Sequence, residues 1–216
     1  MQKFILAAAA ALALAACGQG ANGPALPQVQ AGATPPSTQS PASPTQQAQI
    51  TDEVRQQLIT QIGTQLGQLQ GVNAGNYTQV GSDTIVPMQP GQDYRFLVDL
   101  TAGAEYGFIG TCDGDCTNVD IELISMETGG VVANDMLPDD YPIFPYTPAS
   151  NGQYMVRLLM QACTTSPCYA GARVVSNGAG AAPPQAPQQP PATTTGGETT
   201  TGAETTTGGG GTPGKP

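Results

Sequence analysis

The chain has 216 residues, and its 28 Gly and 20 Pro are concentrated in residues 18–48 and 178–216, which leaves room between them for one domain of ordinary size. His and Trp are absent, so His-based triads, His general bases and His metal sites are excluded. Sixteen acids against six bases give a formal charge of -10, a field that makes nucleic acid and anionic lipid surfaces poor partners.

Residues 1–16 read as an export leader. Lys3 supplies a short positive start, and Phe4 to Ala16 is an apolar run of signal-peptide length, too short for a permanent span. The run ends Leu14-Ala15-Ala16-Cys17, which resembles the lipobox of bacterial lipoproteins. The resemblance implies diacylglyceryl transfer to the Cys17 sulfur, cleavage before Cys17 and acylation of the new amine. Several acyl chains on one residue give stable anchoring, where one gives only marginal binding. Gly18, not Asp, follows the Cys, which by the same resemblance points to the outer membrane of the envelope.

Residues 17–48 are expected to be a Pro/Gln-rich linker, because a segment without charge or aromatic side chains cannot bury enough apolar surface to offset chain entropy. As a free chain it would hold the domain on the order of 30 Å from the lipid. Residues 178–216 are expected to be a second disordered flank. Its repeats TTTGGE, TTTGAE and TTTGGG are too apolar-poor for a solenoid; an O-glycan acceptor or a cell-wall contact are the functional alternatives to a plain tail.

Residues 49–72 are expected to hold one amphipathic helix. Thr51 is a suitable N-cap with Asp52 and Glu53 behind it, and Ile50, Val54, Leu58, Ile62, Leu66 and Leu69 form one stripe. Gly71 is the expected end. Gly63 and Gly67 weaken the helix by about 1 kcal/mol each and suit close approach to a neighbour, the sheet. Over residues 73–177 the period changes to two. Tyr94, Phe96, Val98 and Leu100 alternate with Arg95 and Asp99, with Leu97 an exception; Val119, Ile121 and Leu123 alternate with Asp120 and Glu122; Tyr154, Val156, Leu158 and Met160 alternate with Arg157 and Gln161. Met126-Glu-Thr-Gly-Gly130 is a turn signal before Val131. Ile143 to Tyr146, broken by Pro145, reads as an edge strand. The pattern predicts a mainly β fold, an antiparallel sandwich with one wet face per sheet.

Export implies an oxidising compartment, so Cys112, Cys116, Cys163 and Cys168 are expected as disulfides. Three pairings are possible. Asp113-Gly114-Asp115 and Thr164 to Pro167 are turn sequences that local bridges would pin, which favours Cys112–Cys116 and Cys163–Cys168 over a long bridge such as Cys112–Cys163. The C-x3-C and C-x4-C spacings do not suit zinc, and no His is present to activate a cysteine nucleophile.

The run Cys112-Asp-Gly-Asp-Cys116-Thr-Asn-Val-Asp-Ile-Glu-Leu123 resembles a strand of the pre-peptidase C-terminal domains of secreted bacterial proteins, as do Asp135-Met-Leu-Pro-Asp-Asp-Tyr-Pro142, Tyr146-Thr-Pro, Gly152-Gln-Tyr154 and Cys163-x4-Cys168-Tyr169. The match covers about residues 80–175; Asn118 and Glu122 depart from the family pattern. The resemblance implies a jelly-roll-like β-sandwich that is non-catalytic and serves secretion, stability or attachment. Some such domains bind calcium. Here Asp113, Asp115, Asn118, Asp120, Asp135, Asp139 and Asp140 are the candidate ligands, against a plainer reading as turn and wet-face residues; the spacing is not that of an EF-hand.

The expected function is that of a membrane-anchored envelope lipoprotein without cofactor or catalytic residues, whose sandwich is structural or binds an envelope protein or glycan. A calcium-responsive adhesin or inhibitor is the alternative. A glycosidase-like enzyme using two of the acids between Glu53 and Asp140 ranks below both.

Overall fold

The structure, a computed structural model, describes residues 22–178; the leader, Cys17 and the Thr-rich repeats lie outside the described residues. The elements in chain order are β1 (Gln46–Gln47), α1 (Asp52–Asn73), β2 (Thr78–Gln79), β3 (Thr84–Met88), β4 (Asp93–Leu100), β5 (Tyr106–Cys112), β6 (Cys116–Ser125), β7 (Val131–Asp135), β8 (Ile143–Tyr146), β9 (Gly152–Cys163), β10 (Thr165–Ser166) and β11 (Cys168–Ser176). Strands β4-β9-β6-β7 form one antiparallel sheet. Strands β2-β11-β5-β8 form the other, with β3 also paired to β11. The expected mainly β sandwich with one helix is therefore present.

The period of two decides which side chains meet between the sheets. Phe96, Val98 and Leu100 of β4, Val119, Ile121 and Leu123 of β6, and Val156, Leu158 and Met160 of β9 pack against Tyr106 and Phe108 of β5 and Ala170, Ala172 and Val174 of β11. Phe108 and Phe144 stack with centroids 5.1 Å apart. Strand β8 lies at a sheet edge, where Pro145 costs no inner ladder bond, as its sequence predicts. Strand β3 carries no such sequence signal, because Pro87 interrupts its alternation; it too pairs on one side only, with β11.

The intervening residues of β5 and β11 face away from that core and receive the helix. Ile62 and Leu66, both fully buried, pack with Ile109, Tyr169 and Val175. A Cβ on Gly171 would run into Ile62 and approach Leu66 to 3.2 Å, so glycine in mid-strand is what lets α1 sit this close. Arg173 donates to both carboxylate oxygens of Asp83 and to Gln70 Oε1 at 3.0 Å, tying β11 to the helix. The hydrogen bonds to Asp83, helped by its charge, raise the Arg173 pKa against the opposing effect of burial, keeping the cation charged. Thr51 caps α1 by accepting from the Val54 N–H, as expected. Gly71, by contrast, does not end it. The helix continues to Asn73, and the Ala74 N–H returns to the Gln70 carbonyl at 2.7 Å.

Residues 22–48 differ most from expectation. They are a strap laid across the outer face of the β4-β9-β6-β7 sheet. Asn22 opens it with a parallel bridge to Tyr94 on the free edge of β4. The Gln30 N–H then donates to Thr128, the Val131 N–H to Thr34, and the Ala48 N–H to Ser166. Gln46 and Gln47 finish as β1, parallel to β10. Composition correctly indicates that this segment has no core of its own. It says nothing of hydrogen bonds to a sheet that already exists. So neither sheet has the expected wet outer face: the strap covers one and α1 the other.

Gly129 marks where strap and sheet are tightest. Its φ is +70°, and a Cβ there would overlap the Gln28 carbonyl. Gly129→Ala is therefore expected to loosen the strap locally. Amide hydrogen exchange at Gln30 and Val131 should accelerate at least tenfold while the β9 amides stay protected.

Candidate functional site

The two disulfides form as the turn sequences suggest, Cys112–Cys116 across the β5–β6 connection and Cys163–Cys168 across the β9–β11 connection. Their Cα separations of 5.9 and 6.2 Å are ordinary. Cys116 and Cys163 are register partners, so the bridges lie side by side at one end of the sandwich. Asp113 sits between them, 4% exposed. Its Oδ2 accepts from the Tyr169 N–H at 2.7 Å, its own N–H donates to the Tyr169 carbonyl at 3.0 Å, and Oδ1 has no partner. Burial pushes its pKa up against those hydrogen bonds. Exposed Asp115 instead accepts from Thr164 through its carbonyl and carboxylate.

The remaining calcium candidates lie elsewhere. Asp120 is 2% exposed, under the strap's side of the sheet, and corrects the expectation of a solvated strand face. Gln161 Nε2 donates to its Oδ2 at 2.6 Å, while its Oδ1, like Oδ1 of Asn118, is unpartnered. Burial chiefly, then the nearby charges of Glu122, Asp135 and Asp139, raise its pKa. Asp135 and Asp139 shape the β7–β8 loop: Asp135 accepts from the Leu137 and Ile143 N–H groups, and Asp139 from that of Tyr141 at 3.2 Å. Asp140 is half-buried beside them. The seven candidates thus divide between two places. Among the described residues no group of three His, Cys, Asp or Glu side chains is placed to hold a metal ion.

The densest polar cluster is one that alternation alone misread as solvent-facing. Arg95 and Arg157 are direct register partners on β4 and β9. Two cations so placed repel. Asp93 resolves this: its Oδ2 accepts from Arg95 Nη2 at 2.8 Å and from Arg157 Nε. Arg157 Nη1 also donates to Glu122 Oε2 at 3.0 Å, and Glu122 is its partner on β6. The strap closes over this network. The Ser37 N–H donates to Glu122 Oε1 and the Ser37 carbonyl accepts from Arg157 Nη1, each at 2.9 Å. Asp93, Glu122 and Arg157 are at most 4% exposed. Opposite charges at facing positions of β6 and β9 were the available signal.

Large apolar side chains are exposed singly at Val29 on the strap and at Val54 and Val72 on α1, and as a group along one short stretch. Val132 on β7 is 38% exposed, and in the following loop Met136, Leu137 and Tyr141 are 37%, 62% and 54% exposed.

No family model matches the chain, and no curated protein matches it. Among solved structures, a crystal structure of Aeromonas hydrophila PliG, a periplasmic lysozyme inhibitor of g-type lysozyme, covers 46% of this chain and 85% of its own at 8% identity and a TM-score of 0.30. At that score and identity the likeness carries nothing about activity.

Two stability outcomes follow from the buried charges. Arg157→Leu leaves Asp93 and Glu122 short of their shared cation and is expected to cost about 3–5 kcal/mol in urea denaturation. Asp120→Asn tests a carboxyl whose pKa is raised on folding. Such a group favours the folded state below its unfolded pKa, near 3.8, and that contribution is lost as pH rises through the folded value. The Asn variant should therefore be more stable than the parent at pH 7, with the difference shrinking towards pH 4 in paired denaturation curves.

Proposed function

We propose that the chain is a lipid-anchored protein of the bacterial envelope, at the outer membrane, whose sandwich binds a protein partner and catalyses nothing. The Leu14 to Cys17 run and the two disulfides support the export and anchoring half of this reading. The resemblance of Cys112 to Leu123 and Cys163 to Tyr169 to pre-peptidase C-terminal domains supports the non-catalytic half. So does the use made of the buried carboxylates. Asp93 and Glu122 hold arginines and Asp113 holds the Tyr169 amide, so these acids serve the fold.

The observation that carries the binding role is the exposed run Val132, Met136, Leu137 and Tyr141, on a body whose two sheet faces are covered by its own chain. Met and Tyr are enriched at protein interfaces, and apolar side chains grouped on an open loop of a folded domain suit an interaction site. Immobilised parent protein is expected to retain a partner from detergent-solubilised envelopes that Leu137→Asp/Tyr141→Asp, equally well folded by circular dichroism, retains at least tenfold less. Equal retention by both removes the loop from the reading. Retention by purified peptidoglycan, unchanged in the variant, would replace the protein partner with a glycan.

A further inference from the structure

The strap changes what an acyl anchor at Cys17 would do. A free linker over residues 18–48 would leave the sandwich swinging on the order of 30 Å from the bilayer. The chain is instead fixed to the sandwich from Asn22 onward. The Asn22 N–H donates to the Asp93 carbonyl at 3.2 Å, and the Asn22 carbonyl accepts from the Arg95 N–H at 2.8 Å. Gly23, at φ +115°, lies so close over the Arg95 carbonyl that no Cβ fits there. Arg95 Nη1 reaches the Pro24 carbonyl at 3.4 Å. Five residue steps separate Cys17 from Asn22, and even fully extended they span at most about 18 Å.

We propose that the sandwich is held directly against the bilayer, with the free edge of β4 towards it and β7 away. This rests on the lipid-anchor reading given above. Electrostatic attraction to lipid headgroups does not enter. Of the arginines among the described residues, Arg95, Arg157 and Arg173 are committed to largely buried ion pairs, and Arg55 pairs with Asp52 at 3.4 Å. The short covalent leash bounds the distance, and its attachment at the β4 edge favours that edge facing the bilayer. Strand β4 is one edge of its sheet and β7 is the other, three strand spacings away, so the exposed Val132 and the β7–β8 loop point away from the membrane. The leash thereby presents the binding loop to the compartment rather than to lipid.

The test uses the full chain, expressed with its leader in a lipidating bacterium and reconstituted in phosphatidylcholine bilayers. Intact mass is measured first. Neutron reflectometry should place the protein layer within about 18 Å of the headgroups. A variant with twenty Gly/Ser residues inserted between Gly20 and Ala21 should sit about 25 Å higher. In nanodiscs carrying a headgroup spin label, amide signals of Leu97 and Asp99 should broaden while those of Val132 and Ala133 are spared. Acylated parent protein at the height of the insertion variant, or equal broadening at β4 and β7, overturns the apposition and leaves the anchor reading standing. A mature chain without acyl mass overturns both.

Discussion

The outer face of the β4-β9-β6-β7 sheet is organised by one guanidinium. Arg157 faces Arg95 across one ladder and Glu122 across the other, so neither side of β9 is electrostatically complete without help. Asp93 supplies it on one side and the strap backbone at Ser37 on the other. Removing such a pair's charge from water is expensive, and the attraction recovers the cost only when the remaining donors and acceptors are filled. Residues 22–48 therefore act as more than packing. They exclude water from the charges while supplying the N–H and carbonyl that the charges still need.

The covering is symmetrical in effect and different in kind. On β5 and β11 the alternation puts Ile109, Tyr169, Gly171 and Val175 outward, an apolar surface, and an amphipathic helix covers it. On β4, β6 and β9 the outward positions hold Asp93, Arg95, Asp120, Glu122 and Arg157 among Leu97, Met155 and Leu159, a surface dominated by charge. A polar, Pro-rich segment free of its own secondary structure covers that. Each sheet face is matched by the sort of chain able to satisfy it, and the β7–β8 loop is where exposed apolar side chains are grouped rather than single.

Much of this was legible in advance, and for local reasons. Strands β4, β6 and β9 announce themselves through alternation, the edge role of β8 through Pro145, the α1 start through Thr51, and the bridges through Asp113-Gly114-Asp115 and the run up to Pro167. Where sequence reasoning failed, the determining partner lay far along the chain. Ser37 owes its position to Arg157, and Thr45 owes its position to Ser166, at sequence separations of 120 and 121. Periodicity carries no record of such distances. Leu97 on β4 and Met155 and Leu159 on β9, apolar among the charged outward positions, were the local hints that this face meets something other than solvent. Gly71 failed for the opposite reason: glycine permits a stop without requiring one.

The long reach of the strap also bears on the order of events during synthesis and export. The segment that is made first finds its partners in β9 and β10, near the end of the described chain. Local hairpins such as β6–β7 can close early, whereas a closure spanning some six-score residues waits on the loop entropy of nearly everything between. The part of the strap around Ser37 to Gln47 therefore cannot seat until β9 and β10 are in place, and the shielding of Arg157 and its two acids depends on the last third of the described chain.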